Sequence, residues 1–373
     1  MKLQSIAIVV GQGGYNDIGL IRSCGEADMD VVLICPKDIV VPINKSKYVI
    51  DWLSSTSVSE TEVMHALDTC FDKYKGRTFA IYPAADSTAL ILDKNYKELS
   101  ENAYVPHAFG ELYRLMDKAE MVELASKAGL HVPKSISYEL SQYSIPSYKN
   151  KCIIKPLRSV AGGKTVIQIC RSENDFNEAL NNCMAHGVDK ILVQDLVEGE
   201  NQEEVAVTGV CLPDGRVITY GMIHKKRIRG NGSTVYASFA KECPKDIQEQ
   251  IAGFLKLTKY QGIFDIEFLL NEEGYHFIEC NFRNGAYGYA ITSAGFNMPR
   301  AFYQGMDNQS ISPIKVKDIT FMEERSDLLN VFEHTISLFS WLKDFLTCNT
   351  LLWWNWKDMK PFIAHNFSKL HIR

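Results

Sequence analysis

The sequence has no run of eighteen apolar residues, and the stretch Ile6 to Val10 that follows Met1 and Lys2 is too short for a signal-peptide core. Integral membrane association is therefore not expected, and the chain reads as a cytoplasmic protein. Ten cysteines run from Cys24 to Cys348, but no C-x-x-C pair occurs and no His/Cys cluster has zinc spacing. In a chain of 373 residues disulfide staples are not needed, so the thiols read as reduced and mostly buried. Fixed-period repeats and low-complexity tracts are missing, which excludes solenoids. A formal charge of −5 gives no global electrostatic reason for a nucleic-acid partner. No G-x-x-x-x-G-K-[ST] loop is present, so a Walker-type phosphate site is excluded.

What remains is a globular composition, 46% apolar and 23% charged, long enough for two or three packed domains. Short β-rich runs at Ile6 to Val10, Val31 to Cys35 and Phe79 to Tyr82 alternate with helix-like segments, the pattern of a small parallel sheet with helices on both faces. Gly11-Gln-Gly-Gly14 stands where a dinucleotide fingerprint would sit, but position 16 is Asn where the third glycine belongs; a plain strand-to-helix turn is the stronger reading. After Tyr104 to His107 a helix is predicted from Asp117, with Glu120 three residues on, Met121, Leu124, Ala125 and Ala128 on one face, and Gly129 and Pro133 ending it. Strand-like runs follow to about residue 290, including Cys152 to Lys155, Thr165 to Ile169, Ile191 to Gln194, Val205 to Val210 and Val217 to Met222. Four of the five tryptophans, Trp341, Trp353, Trp354 and Trp356, lie in the last sixty residues, which suits a tail docking back on its own core.

The chemistry begins with the segment Phe264 to Arg283. If Glu272-Glu273-Gly274 is a three-residue loop, Asn271 pairs with Tyr275, Glu267 faces Glu279 and Asp265 faces Asn281. Alternation then puts Asp265, Glu267, Glu279, Asn281 and Arg283 on one face and Ile266, Phe268, Ile278 and Phe282 on the other. Opposed carboxylates repel, and a hard divalent cation between them removes the cost; two carboxylates and an amide oxygen suit Mg²⁺. A solvated acidic face fits the same residues. A second element is Lys155, leaving a strand before Pro156 and Ser159-Val-Ala-Gly-Gly163. One lysine charge and a glycine loop can hold phosphates, though a surface hairpin is an equal reading. A third is Ile191 to Gly199, an apolar strand entering a polar hinge, with Glu203 and Glu204 opening the next strand. The basic run Lys225 to Arg229 suits either a solvated loop or a substrate clamp; no base-stacking aromatics accompany it, which disfavours RNA.

In this order the elements resemble the ATP-grasp superfamily from about Met116 to Pro299. The resemblance implies an ATP-grasp fold of α/β and α+β character preceded by a small Rossmann-like parallel-sheet domain. Residues 1–106 would form that domain and 107–312 the ATP-grasp domain, with a flexible lid at about 134–192; residues 313–373 would be a Trp-rich segment docking on the core. It implies ATP and Mg²⁺ as cofactors. Lys118, Lys155 and the loop residues Ser159, Gly162 and Gly163 would meet phosphates, Gln194, Asp195, Leu196 and Val197 the adenine, and Glu204 the ribose. Glu267, Glu279 and Asn281 would be the metal ligands, and Arg283, with Lys226 and Arg227, would hold the transferring phosphate or the carboxylate.

There are departures. Gln194 stands where many members have Glu, and Glu204 lies about two residues further on than the usual ribose-binding acid, so Glu200 or Glu203 could serve. Asp265 replaces the catalytic arginine of D-alanine–D-alanine ligases, which argues against that branch. Glu279 to Asn284 and Asp358 to Phe362 look more like the carboxylate–amine ligases related to D-aspartate ligase and to carbamoyl-phosphate synthase large chains. The activity implied is ADP-forming ligation of a carboxylate (amino acid, peptide or sugar acid) to an amine through an acyl phosphate. The alternatives are a non-catalytic ATP-binding scaffold or a carboxyphosphate-forming enzyme using bicarbonate. The expected partners are small-molecule carboxylate and amine substrates, with a homodimer as the candidate assembly.

Overall fold

The computed structural model describes residues 5–38, 42–140, 146–158, 166–199, 201–229, 232–311 and 314–367. Strands β1 (Ser5–Val10), β2 (Asp30–Pro36), β3 (Val49–Ser55), β4 (Thr78–Pro83) and β5 (Ala103–Tyr104) form a parallel sheet in the order β3-β2-β1-β4-β5. Every residue of β1 is buried, because both faces of a parallel sheet are covered. Ala7 and Val9 enter one core cluster, while Ile6, Ile8 and Val10 enter another on the opposite face. Helices α1 (Tyr15–Glu26), α2 (Glu60–Lys73) and α3 (Asp86–Lys94) connect these strands, and the short turns α4 (Tyr96–Leu99) and α5 (Leu112–Leu115) follow.

Helix α6 (Lys118–Lys127) starts where the sequence predicts, because Asp117 Oδ1 accepts from the N–H groups of Ala119 (3.0 Å) and Glu120 (3.4 Å). A four-stranded antiparallel sheet comes next, order β6-β9-β7-β8, from β6 (Ser135–Glu139), β7 (Cys152–Pro156), β8 (Gln168–Cys170) and β9 (Lys190–Asp195). Helix α7 (Glu173–Ala185) covers it through Phe176, Ala179, Leu180 and Cys183.

The third sheet has eight strands: β10 (Glu203–Cys211), β11 (Val217–Thr219), β12 (Met222–Arg229), β13 (Ser233–Ala240), β14 (Gly262–Asn271), β15 (Gly274–Asn281), β16 (Ile319–Met322) and β17 (Thr350–Leu351). The predicted run Val217 to Met222 is two strands, not one. Gly221 has a φ of 73°, and a Cβ there would lie 2.1 Å from the Ala240 carbonyl oxygen, so the chain turns at the one residue that tolerates it. Helix α8 (Lys245–Thr258) lies on one face of this sheet with α6, while α9 (Gly288–Ala294) and α10 (Met298–Met306) join the cluster shared with α1.

In the chain, helices α11 (Glu324–Phe332) and α12 (Leu338–Thr347) precede β17 and α13 (Lys360–Phe367) follows it. Trp353 is buried and its backbone N–H donates to Glu324, whereas Trp356 is exposed. Arg22 of α1 is buried completely and its guanidinium is spent on this segment: Nε donates to Asp358 Oδ2 (3.0 Å), Nη2 to the Asp358 carbonyl (2.9 Å) and Nη1 to the Leu352 carbonyl. Asp358 also accepts from Ser46 Oγ (2.8 Å) and Lys47 N–H (2.9 Å). Among the described residues no helix is long and apolar enough to cross a membrane.

Removing one partner of a buried ion pair strands the other charge. Asp358→Ala should therefore lower unfolding stability by about 3–5 kcal/mol, measured by urea denaturation. Arg22→Met combined with Asp358→Leu should recover much of that loss; a double variant as unstable as Asp358→Ala would contradict the account.

Candidate active site

The β14–β15 hairpin sets the site. Its loop is one residue shorter than predicted: Asn271 pairs with Gly274 and Leu270 with Tyr275, leaving Glu272 and Glu273 at the turn. That slip alone would send Glu279 to the wrong face. A bulge at Ile278 corrects it, since Phe268 pairs with Phe277 while Glu267 pairs with Glu279 and Asp265 with Asn281. The predicted carboxylate pairing is thus present, but the apolar face is not as predicted. Phe277 joins Ile266, Phe268, Cys280 and Phe282 in the core, and Ile278 stays outside it.

The polar face is crowded with acid. Asp265 is buried and accepts from Tyr287 Oη (2.8 Å). Burial, then the neighbouring Glu267 charge, pushes its carboxyl well above the ordinary carboxylate range. Burial also raises Glu267; Lys225 opposes this and Glu279 adds to it. From β12, Lys225 Nζ donates to Glu267 Oε2 (2.5 Å) and Glu204 Oε2 (3.1 Å). Burial alone would pull Lys225 down, but Glu267 and Glu204 hold it above its ordinary value. Arg283 spans the far edge: Nη2 donates to Asn281 Oδ1 (3.1 Å) and Nε to Asp86 Oδ1 (2.9 Å), at the start of α3.

Two lysines approach from strand β7 and helix α6. Lys155, near the end of β7, is buried and donates to Gln194 Oε1 (3.0 Å), whose Nε2 donates to Ser135 Oγ (2.9 Å). Burial brings the Lys155 ammonium down to about 8; the Glu279 and Glu267 charges resist and Lys118 adds to the fall. Lys118 opens α6, and its backbone N–H donates to the Leu157 carbonyl (3.0 Å), which ties the helix start to the exit of β7. A cavity of about 650 Å³ lies here, lined among others by Asp86, Ser87, Lys118, Leu157, Glu279 and Asn281. A second hollow, about 360 Å³, lies between the β1–α1 turn, residues Ala84 to Ser87 and Arg283.

Other predicted residues go elsewhere. The basic run is strand β12, not a loop; alternation turns Lys226 away from Lys225, and the irregular pairing with β13 between Lys225 and Arg227 shifts the phase of Arg227. Lys226 pairs with Glu203 Oε1 (2.8 Å), on the face opposite Lys225. Arg227 is held by Asp327 (2.7 Å) and Asp344 (2.5 Å) over the Tyr236 ring. Neither is brought to the acidic face; Lys225 is. At the hinge, the N–H groups of Asp195 and Leu196 donate to the carbonyls of Lys134 (2.8 Å) and Lys151 (3.1 Å), and the Val197 carbonyl accepts from Gln202 (3.1 Å). Ser159, Gly162, Gly163 and Glu200 lie outside the described residues. Asp86 and Tyr287 were not foreseen. Asp86 carried one usable signal, its position just past the carboxyl end of a parallel strand, where α/β sheets bind ligands.

The glycine turn after β1 is not a vacant dinucleotide cradle. Gly13 N–H donates to Asp17 Oδ2 (2.7 Å), and a Cβ on Gly11 would lie 2.0 Å from that oxygen. The chain fills its own anion-binding turn with a buried carboxylate, which burial lifts to about 6 against the pull of these backbone bonds.

Whether the acidic face suits Mg²⁺ turns on donor chemistry. Two half-buried carboxylates opposed across a strand pair, the Glu279 charge raising the proton affinity of Glu267, with an amide oxygen two residues beyond, form an oxygen set with excess negative charge. No cluster of three or more His, Cys, Asp or Glu side chains able to hold a metal occurs among the described residues. Mg²⁺ does not require one, since it takes one or two carboxylates and completes its shell with phosphates and water. The residues fit the ion.

A parallel-sheet unit, a small antiparallel sheet and a large, mainly antiparallel sheet, with a cavity lined by lysine and acid, form an ATP-grasp type of fold. Residues 123–292 match the family model for the ATP-grasp domain, so the chain contains an ATP-grasp domain. It is 22% identical over 318 residues to D-aspartate ligase of Enterococcus faecium, covering 79% of this chain and 75% of that protein. Among solved structures it is similar to N5-carboxyaminoimidazole synthetase from Staphylococcus aureus complexed with ADP (TM-score 0.68, 16% identity, 90% of this chain and 87% of that one). It is also similar to the L-amino acid ligase from Bacillus licheniformis (TM-score 0.65, 12% identity, 86% and 79%). A third is the biotin carboxylase domain of Hydrogenobacter thermophilus 2-oxoglutarate carboxylase, a complex with MgADP, ADP and bicarbonate (TM-score 0.63, 17% identity, 84% and 73%).

The lowered Lys155 value bears on stability. A folded-state value below the unfolded 10.5 means that the protonated lysine weighs against folding below about pH 8, and that this burden eases as pH rises toward 10.5. At pH 7 the shift corresponds to roughly 3 kcal/mol, part of which is offset by the Gln194 bond. Lys155→Met should therefore be more stable than wild type by about 1–2 kcal/mol without nucleotide, and should lack the rise in stability between pH 8 and 10.5. A variant less stable than wild type at pH 7 in chemical denaturation would contradict it.

Proposed function

We propose that this chain is an ATP- and Mg²⁺-dependent ligase that phosphorylates a carboxylate and passes the acyl group to an amine. The observation that carries the proposal is the cavity bounded by Lys118 on one side and Glu279 and Asn281 on the other, with Lys155 close enough for its charge to feel both glutamates. That is a pairing of cationic and acidic walls suited to a metal-bound polyphosphate. In this reading Lys118 and Lys155 neutralise phosphate oxygens. Gln194 orients Lys155, Gln194 to Val197 border the adenine, and Glu204 accepts from the ribose. Glu267, Glu279 and Asn281 would hold Mg²⁺. When bound, the ion would neutralise charge on the transferring phosphate.

Arg283 lines the second hollow and bonds Asp86, which borders both, and its guanidinium would orient the acceptor carboxylate toward the γ-phosphorus. A carboxylate oxygen attacks that phosphorus, ADP leaves, and the amine then attacks the acyl carbon and expels phosphate. Lys225, beside Glu267, opposes the rise that burial gives that carboxyl. Catalysis on this scheme is positioning and charge neutralisation, with no covalent bond to the protein. D-aspartate ligase and L-amino acid ligase act, by their names, on amino acids, which makes an amino-acid carboxylate the first substrate to test.

An acyl phosphate is open to any good nucleophile. ATP, Mg²⁺, the accepted acid and hydroxylamine should together yield a hydroxamate with stoichiometric ADP and phosphate and no AMP. AMP with pyrophosphate would mean adenylation, and ADP release with bicarbonate as the only effective acid would move the chain to carboxyphosphate chemistry. ATP binding without turnover across a panel of amino acids, peptides and sugar acids would favour a scaffold. A separate expectation concerns Glu279→Gln, which should fold normally by circular dichroism yet lose Mg²⁺-dependent ADP release by at least about a hundredfold, because a neutral amide cannot share the metal charge. Undiminished turnover in that variant would remove Glu279 from the site.

A further inference from the structure

Helix α12 carries an apolar stripe that faces solvent. Leu338, Leu342 and Leu346 recur every four residues, and Phe339 falls beside them, so at 100° per residue all four lie within one arc of about 100°. Phe339 is 81% exposed and Leu346 78%, with Leu338 and Leu342 also exposed. Trp341, on the flank turned inward, is buried. The adjoining α11 adds Phe332, 69% exposed, and Leu329. Large apolar side chains offer on the order of 150–250 Å² each when bare, so the uncovered parts amount to roughly 600 Å². That is at the upper end of what monomers expose, and close to the roughly 800 Å² that each partner contributes to a stable complex.

We infer that this face is a homodimer interface, in which the α12 stripe of one chain packs against the same stripe of a second copy about a two-fold axis. Charge favours this occupant over others. Between Leu338 and Thr347 the only charged residues are Lys343 and Asp344, and Asp344 is already engaged by Arg227 (2.5 Å). With Glu333 beside Phe332 paired to Arg229, the exposed Lys343 is the main charge left at the stripe, too little to attract a strongly acidic or basic partner. An anionic membrane is disfavoured too, because the stripe lacks a basic rim and the chain carries a formal charge of −5. An isologous contact needs a self-complementary patch, and a narrow leucine stripe on a helix packs against its own copy by ridges into grooves. The interface would also brace the candidate site. Asp327 of α11 and Asp344 of α12 hold Arg227, two residues along β12 from Lys225.

The test is the mass of the full chain by sedimentation equilibrium at low micromolar concentration. Wild type should sediment at twice the chain mass. Phe339→Asp combined with Leu346→Asp should be monomeric, with self-association weakened at least a hundredfold and an unchanged far-ultraviolet circular dichroism spectrum. Both side chains are already in solvent, so folding should tolerate the change; Phe339→Ser serves the same purpose if the double variant misfolds. A monomeric wild type, or a dimer that the substitutions leave intact, overturns the inference. So does a monomer that co-sediments with phosphatidylcholine vesicles, which would make the stripe a lipid-binding surface.

Discussion

Glu267 and Glu279 face each other on adjacent strands inside the fold, with Asp265 buried beside them. Like charges in that position repel, and burial strengthens the repulsion by removing water. Much of the surrounding architecture answers that constraint. Lys225 is drawn in from β12 to bond Glu267 and Glu204, Tyr287 donates to Asp265, and Arg283 reaches across Asn281. Lys155 is kept protonated near neutrality, despite its burial, by the same glutamates. Stored negative charge of this kind has little value for stability, since an apolar hairpin would fold at lower cost. It fits a face made to receive a cation.

The groups that meet at the site come from elements far apart in the chain, and polar bonds at element ends hold them in register. Lys118 N–H to the Leu157 carbonyl aligns α6 with β7. Arg283 to Asp86 ties the large sheet to the carboxyl edge of the parallel sheet. Arg22 to Asp358 locks the C-terminal segment onto α1, and Arg227 joins β12 to α11 and α12. Catalysis by positioning tolerates errors well below an ångström, so a site assembled from three sheets requires such fastening.

Much of this was legible from local pattern. The alternating apolar runs marked β1, β2, β4, β7 and β9, and Asp117 with its following acid marked the start of α6. Alternation also put Asp265, Glu267, Glu279 and Asn281 on one face, although the route was wrong in two places that cancel. The turn is one residue shorter than expected and the bulge at Ile278 restores the phase. The bulge has no sequence mark; it exists because Phe277 packs better in the core against Phe268 and Phe254 than Ile278 would. The same limit explains the choice of Lys226 and Arg227 over Lys225. A run of four basic residues shows that charge is present, not which side chain the strand turns inward.

By itself the sequence determined the period of each element, the polarity of each face and the chemical kinds of residue available, because these depend on neighbours within a few positions. Only the tertiary structure decided phase and partnership. Which lysine meets Glu267, which carboxylate fills the glycine turn after β1, and that Arg22 is neutralised by an aspartate 336 residues away are set by strand register and by packing between segments remote in sequence. No local pattern encodes them, since each is the outcome of burying all the apolar faces at once.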